Sequence, residues 1–311
     1  MSAILVGDVG ATNCRFATWS EGGLHDIRIW PTASSATLSA CVARYCDGAA
    51  QDFAAICVAV AGPVRDNEAS LTNAGWSGAA HRLPQPARLI NDLHAAARGV
   101  RHVGAEHLHH LGGPRPSGGD ISVMGIGTGL GQALVVCDQV VPSEGGHTEF
   151  GPADSEQERL LAWLRPQLGR VTLESVVSGP GLGRILAFCR ESFSLSTEAE
   201  AALATQPPGA VIFQHADRDP ACAAALGLFL RCVGSAAGDM ALRSLPAGGV
   251  VLCGGILPRI PDVAADGRLR AAFEEKPPMS HLLQALPLSL VTHPHLGLLG
   301  AAAEAERLLT A

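Results

Sequence analysis

The sequence predicts an α/β fold in two domains, and three observations carry that prediction. Strand-like and helix-like segments alternate along the whole chain. A strand, Gly-rich turn, strand plan occurs twice, first at GDVGATN and again at GIGTGLG. The length of 311 residues exceeds what one average core organises. Hydrophobic residues make up 47% and charged residues 16%, enough apolar material for a sizeable core and too little charge for disorder.

The elements follow in order. Ile4–Val9 is a short apolar run ended by Gly10, and Arg15–Trp19 resumes as a strand, so the pair reads as a hairpin turning at GATN. A helix-like stretch near Ala36–Cys46 precedes a buried strand, Ala54–Ala61, stopped by Gly62-Pro63. Arg88–Ile90 is a short strand, with Asn91-Asp92 at its end and the helix-prone LHAAARG beyond. In the second half, Ser122–Gly125, a Gly-rich turn and Ala133–Cys137 repeat the opening plan. Ser155-x-x-Glu158 reads as a capping-box start for a helix carrying Leu160, Leu161, Trp163 and Leu164. A long Ala/Leu helix, about Pro220 to Leu245, leads into the strand Val250–Cys253 and then Gly254-Gly255. A strand at Leu286–Val291 and a helix at Leu298–Leu309 close the chain, and Gly112–Gly119 (GGPRPSGG) reads as a hinge-side loop.

A formal net charge of -7 argues against nucleic acid or an anionic membrane surface as partner. It does not argue against a small polyanion, because helix ends and backbone N–H groups bind phosphate without net positive charge. The opening MSAILVGDVGATN has none of the features of a signal peptide, and the runs AAICVAVAG and GVVLCGGIL are of strand length. Nine cysteines lack regular spacing and form no Cys-x-x-Cys; Cys57, Cys137 and Cys253 read as buried free thiols, which implies a reducing cytoplasm. His102, His107, His109 and His110 cluster in a loop-like stretch, with no Cys or carboxylate pair to complete a metal set.

Neither Gly-rich turn is a Walker loop or a G-x-G-x-x-G fingerprint, and both lead into a strand. They read either as phosphate-facing hairpins or as tight hairpins alone. Asp8, at the end of an apolar strand, needs a partner and suits hydrated Mg²⁺. Asp92 stands at a strand end that opens a helix, where α/β proteins place ligand sites. It fits a general base for a hydroxyl nucleophile and equally a helix N-cap. Glu144 and Glu174 are carboxylates that can each accept two hydrogen bonds and His147 can donate one, against the plainer readings of Glu174 as a helix-surface residue and His147 as a loop residue.

Several segments together resemble the bacterial glucokinase family of the actin/hexokinase/Hsp70 superfamily: LVGDVGATNCRFATW, LTNAGW, LINDLHAAARG, GIGTGLGQALV, PSEGGHTEFGP, LESVVSGPGL, VLCGGILPRI, FEEK and THPHLGLLGAA. They occur in the family's order from residue 5 to about residue 302. The resemblance implies a two-domain actin-like ATPase (ribonuclease H-like) fold, with a cleft between a small domain (1–102 plus 294–311) and a larger one (103–293). It implies an ATP-dependent glucokinase that makes glucose 6-phosphate at the entry to glycolysis, with Asp92 as base, and a cytoplasmic homodimer. By the same resemblance Gly7, Asp8, Val9, Gly10, Ala11 and Thr12 line the ATP phosphates, with Asp8 meeting Mg²⁺ through water. Gly127, Thr128 and Gly129 face those phosphates, and Gly254 and Gly255 approach the adenosine. Asn91, Asp92, Glu144, His147 and Glu174 hold the sugar. The family usually has a second Gly where Ala11 stands, so a positive φ there would strain the turn. GHTEFGPADSEQE contains no Cys, which points away from the zinc-bearing repressor and sugar-kinase group. The rival readings are a kinase for a related sugar, such as N-acetylmannosamine or fructose, and a sugar-sensing regulator, which retention of Asp92 disfavours.

Overall fold

β-Branched apolar runs stopped by Gly or Asn become the strands that carry the chemistry, and an Ala-rich tail becomes a helix able to pack closely. The computed structural model describes residues 3–47, 52–71, 76–84, 86–116 and 118–310. In chain order the elements are β1 (Ile4–Val9), β2 (Asn13–Ser20), β3 (Gly23–Pro31), α1 (Leu38–Cys46), β4 (Ala55–Val60), β5 (Val64–Arg65), β6 (Glu68–Leu71), β7 (Trp76–Ala79), β8 (Ala87–Asn91) and α2 (Asp92–Gly99). Next come β9 (Leu108–Gly112), β10 (Ile121–Ile126), β11 (Leu130–Val136), β12 (Gln139–Ser143), α3 (Ser155–Leu168), α4 (Leu173–Val176), α5 (Gly179–Cys189), α6 (Thr197–Leu203), α7 (Pro208–His215) and α8 (Pro220–Ser244). The chain ends with β13 (Val250–Gly254), α9 (Pro261–Ala264), α10 (Arg268–Glu274), α11 (Ser280–Gln284), β14 (Leu288–Val291) and α12 (Leu296–Thr310). It divides into two compact units, Met1–Gly104 with His293–Ala311, and Ala105–Thr292.

In the first unit the sheet order is β3-β2-β1-β4-β8, with β1, β4 and β8 mutually parallel. Strand side chains alternate between faces. Ile4 and Val6 pack with Leu298, Ala301, Ala302 and Ala305 of α12, while Leu5 and Val9 pack with Phe16, Trp30 and Tyr45. Helices α12 and α2 meet almost backbone to backbone: a Cβ on Gly300 would lie 1.7 Å from the Ala95 carbonyl oxygen, and one on Gly99 2.4 Å from that of Leu296. Behind this contact, buried Glu304 of α12 accepts from Arg98 Nε at 2.7 Å, with Arg88 Nη1 at 3.2 Å and His94 Nε2 at 3.4 Å. Burial alone would raise the Glu304 pKa, but His94 and Arg98 outweigh it and hold the carboxyl at about 2.

The second unit is built on the sheet β12-β11-β10-β13-β14-β9, in which β10, β13 and β14 run parallel. Its central helix, α8, is long and apolar enough to cross a membrane by length and composition, yet 83% of its apolar window is buried in the protein core.

The first hairpin does turn at GATN, since the β1–β2 ladder ends at Val9 opposite Cys14, although Asn13 also pairs with Pro31 of β3. Several expectations change. Helix α3 is capped by Asp154, whose carboxylate accepts from Gln157 N–H at 2.8 Å, so Ser155 is the first helical residue and not the cap. His109 and His110 lie in strand β9, paired antiparallel with β14, where a loop was expected. The described residues of the GGPRPSGG stretch belong to the second unit, with Gly112 closing β9. Cys137 is exposed at positive φ, not buried, because it sits in the turn after β11. Thr72, Asn73, Ala74 and Gly75 of LTNAGW, and Ser117 of GGPRPSGG, lie outside the described residues.

The buried ion cluster makes a testable demand. Glu304→Ala removes the carboxylate that the buried Arg98 guanidinium bonds and should cost about 3–5 kcal/mol in urea denaturation at pH 7. The folded-state pKa is depressed, so this stabilisation is present above about 4.5 and fades as pH falls toward about 2. The wild-type urea midpoint should fall across that window more steeply than the variant's.

Candidate active site

In the first unit, parallel pairing brings Val9, Val60 and Asn91 into register, so the turn after β1 and the Asn91-Asp92 pair leave the same carboxyl edge of the sheet. Open α/β sheets bind ligands at that edge. The turn is braced from below. Gly10 N–H donates to the Asn13 carbonyl at 2.9 Å, Thr32 Oγ1 to the Gly10 carbonyl at 2.8 Å, and Thr32 N–H to the Thr12 carbonyl at 2.9 Å. Ala11 is not among the residues with positive φ, so the expected strain is absent and Ala fits the turn. Val9 is fully buried in the core and offers the turn only its backbone. A Cβ on Gly7 would sit 2.6 Å from the Phe16 ring, so that glycine is required by packing.

Asp8 faces Arg15 across the hairpin, with 3.6 Å between Nη1 and Oδ2. The first turn of α12 closes on its other side, where a Cβ on Gly297 would stand 3.0 Å from the carboxyl. Burial pushes the Asp8 pKa up, Arg15 pulls it down and Asp92 pushes it up again, to about 6. Asn91, not Asp92, caps α2: its Oδ1 accepts from Leu93 N–H at 2.9 Å and His94 N–H at 3.2 Å, and its Nδ2 donates to the Gly62 carbonyl at 3.0 Å. Asp92 is the first helical residue, exposed, with Oδ1 also accepting from Leu93 N–H at 2.9 Å.

The second unit gathers its residues around Leu130. Leu130 N–H donates to Glu174 Oε2 at 2.9 Å, which ties α4 to the Gly127–Gly129 turn. A Cβ on Gly146 would lie 1.9 Å from the Leu130 carbonyl oxygen, and one on Gly145 2.1 Å from Gln132 Oε1. The two glycines of SEGGH thus let a 3₁₀ turn (Gly145–His147) lie flat on β11 and turn Glu144 and His147 outward. Those two side chains are exposed, with His147 Nε2 4.0 Å from Glu144 Oε2. Glu149 bridges to Thr172 just before α4 and keeps Glu174 beside this turn. At the ends of adjacent parallel strands, Ile126 pairs with Gly254, and Gly255 N–H donates to the Ile126 carbonyl at 3.0 Å. Gly254 is at φ +106, and a Cβ there would lie 2.3 Å from that carbonyl oxygen; Gly127 and Gly255 open onto free space.

Two neighbours of the site escaped the sequence reading. Arg15 was legible in principle, because a tight hairpin after β1 sets it opposite Asp8. Gly297 lay in the motif THPHLGLLGAA, but nothing local shows that its bare Cα faces Asp8.

Gly turns at the carboxyl ends of parallel strands in both units, with carboxylates beside them, are those of a sugar kinase of the actin-like ATPase fold. A family model described as Glucokinase matches residues 5–308. The chain is 36% identical over 310 residues to the glucokinase of Chromohalobacter salexigens, covering 96% of this chain and 95% of that one. The crystal structure of a glucokinase from an Antarctic psychrotroph matches with a TM-score of 0.83 at 30% identity, over 99% of each chain. A ROK family glucokinase from Streptomyces griseus, in complex with glucose and AMPPNP, shares the fold with a TM-score of 0.67 at 21% identity, over 98% of this chain and 99% of that one. The chain belongs to the glucokinase family, and its activity is ATP-dependent phosphorylation of glucose.

Asp8 carries a stability cost that can be measured. Its raised pKa means that ionisation opposes folding, by an amount that builds as pH rises from about 3.8 and is complete above about pH 6 at about 3 kcal/mol. Asp8→Asn should raise the melting temperature of the ligand-free protein at pH 8 and gain nothing at pH 3.5, where Asp8 is already protonated. Equal melting temperatures at pH 8 would show that the carboxylate is not strained.

Proposed function

We propose that Asp92 is the general base and that it takes the proton of the glucose 6-hydroxyl as the γ-phosphoryl group of ATP arrives. The observation that carries this reading is the cap on α2. Asn91 fills the capping role, and the Asp92 carboxylate stands exposed at the carboxyl edge of the sheet, with Oδ1 sharing Leu93 N–H with Asn91. A sugar hydroxyl is a poor nucleophile, and a carboxylate at hydrogen-bond distance removes its proton in the transition state. The rest of the work is positioning and charge neutralisation. The glucose complex of the Streptomyces griseus relative supports glucose as the acceptor here, and its AMPPNP supports ATP as donor.

Glu144, His147 and Glu174 receive sugar hydroxyls. Glu174 keeps one carboxylate oxygen for that purpose, since Oε2 already holds Leu130 N–H. Asn91 has one amide N–H left for a hydroxyl after bonding Gly62. The turn Gly10, Ala11 and Thr12 holds ATP phosphates through its backbone, as does Gly127, Thr128 and Gly129, while Gly254 and Gly255 leave room for the adenosine.

Mg²⁺ fits the donors at Asp8. The carboxylate has one guanidinium at 3.6 Å and a pKa lifted to about 6, so its charge is only partly compensated by protein. Among the described residues no group of three or more His, Cys, Asp or Glu forms a cage, which suits an ion held by one carboxylate, phosphates and water. When bound, Mg²⁺ neutralises the developing charge on the phosphoryl oxygens. Cytoplasmic location, a place in glycolysis and a homodimer complete the proposal; the nine free cysteines support the first, and the family resemblance the other two.

A coupled assay with ATP against a panel of hexoses tests the reading as a whole. Asp92→Asn keeps shape and hydrogen bonding but cannot accept the proton. Its kcat should fall by about 10²–10⁴ with little change in glucose binding. A kcat near the wild-type value would remove Asp92 from the mechanism. Glu144→Gln should weaken glucose binding by about 1–3 kcal/mol, read by calorimetry, and leave the KM for ATP in place.

A further inference from the structure

Beside the Gly127–Gly129 turn lies a cavity of about 120 Å³, lined by Thr128, Glu174, Ser175, Ser178, Pro180 and Arg184. Its polar groups are unequally used. Ser178 Oγ is spent locally, donating to the Glu174 carbonyl at 2.7 Å and accepting from Gly181 N–H at 3.0 Å. Glu174 Oε2 is held by Leu130 N–H. Arg184 is anchored at one point only, where Nη1 donates to the Ser175 carbonyl at 3.0 Å. Its remaining N–H groups have no protein partner among the described residues. Thr128 stands exposed at the tip of the turn, on the same cavity.

The lining thus offers unspent donors, a planar guanidinium and a hydroxyl, in a half-buried setting. Guanidinium forks match phosphate oxygens in geometry and charge. The other ionised groups assigned to the two ligands (Asp8, Asp92, Glu144 and Glu174) are all anionic, and Arg15 is already paired with Asp8. A polyphosphate chain reaching Thr128 therefore meets its one guanidinium partner in this lining at Arg184.

We propose that Arg184 is a nucleotide-binding residue that holds the phosphate chain of ATP against Thr128. The proposal rests on the assignment of the Gly127–Gly129 turn to ATP phosphates. Arg184 takes no part in proton transfer; it binds the donor and lowers its KM.

The test compares the wild type with Arg184→Gln, Arg184→Lys and Thr128→Ala, using steady-state kinetics and calorimetry with ADP and with adenosine. In Arg184→Gln the KM for ATP should rise and ADP affinity should fall, each about tenfold, as for one lost charged hydrogen bond. Adenosine affinity and the glucose KM should not move; the latter shows that α4 and Glu174 are undisturbed. Arg184→Lys should recover part of the ADP affinity, since it restores charge without the fork. ADP affinity unchanged in Arg184→Gln, or falling equally with that of adenosine, would overturn the phosphate contact. Loss of ADP affinity in Thr128→Ala alone would sink the role of Arg184 and leave the turn assignment standing. No loss in either variant would remove both.

Discussion

Three glycines allow α12 to approach α2 and Asp8 at backbone distance, and the reactive groups of the first unit depend on that approach. At Gly99, Gly297 and Gly300 a single added methyl group would meet the Leu296 carbonyl, the Asp8 carboxyl and the Ala95 carbonyl. Where helices touch this closely, the contact behaves as a rigid fixture, because interiors have no slack to absorb a methylene. Helix α12 packs on β1 and β4 through Leu298, Ala301, Ala302 and Ala305, so the fixture also bears on the strand that carries Asp8. Glu304 extends it, gripping Arg88 on β8 and Arg98 on α2, the two elements whose junction presents Asp92.

In the second unit the corresponding constraint is one peptide group. Leu130 offers its N–H to Glu174 and lets its carbonyl lie against the bare Cα of Gly146, so one residue of β11 sets the two segments proposed to hold the sugar against the Gly127–Gly129 turn. The hydrogen bond is not strong alone, and the close approach at Gly146 is a packing contact. Both link separate segments of the chain, so these segments are set by backbone registration more than by side-chain networks.

Buried Glu304 and half-buried Asp8 in the first unit show opposite economies. Glu304 is surrounded by cations and favours the folded state, whereas Asp8 has one cation, a neighbouring carboxylate and a raised pKa, and opposes it. A structural carboxylate is matched by the protein itself. Asp8 is left undermatched, which is what the proposed role of meeting an incoming cation requires. That contrast separates scaffold from site without reference to any relative.

By itself the sequence determined the α/β class, the strands β1, β4, β10 and β13, the long helix α8 and the position of Asp92 at a strand end. Each of these is written in local periodicity or in a Gly or Asn that stops it. It missed β3, β9 and β12, whose side chains alternate weakly because they lie at or near sheet edges, and it placed the cap of α3 one residue late. Only the tertiary structure decided what each glycine is for. Gly7 yields to Phe16, Gly145 to Gln132 and Gly146 to Leu130, while Gly127 and Gly255 stay open. It also decided between Asn91 and Asp92 as the helix cap, and set Arg15 and Gly297 around Asp8. The physical reason is that a glycine in a sequence records permission for close approach but not the partner, and partners here are separated by many residues.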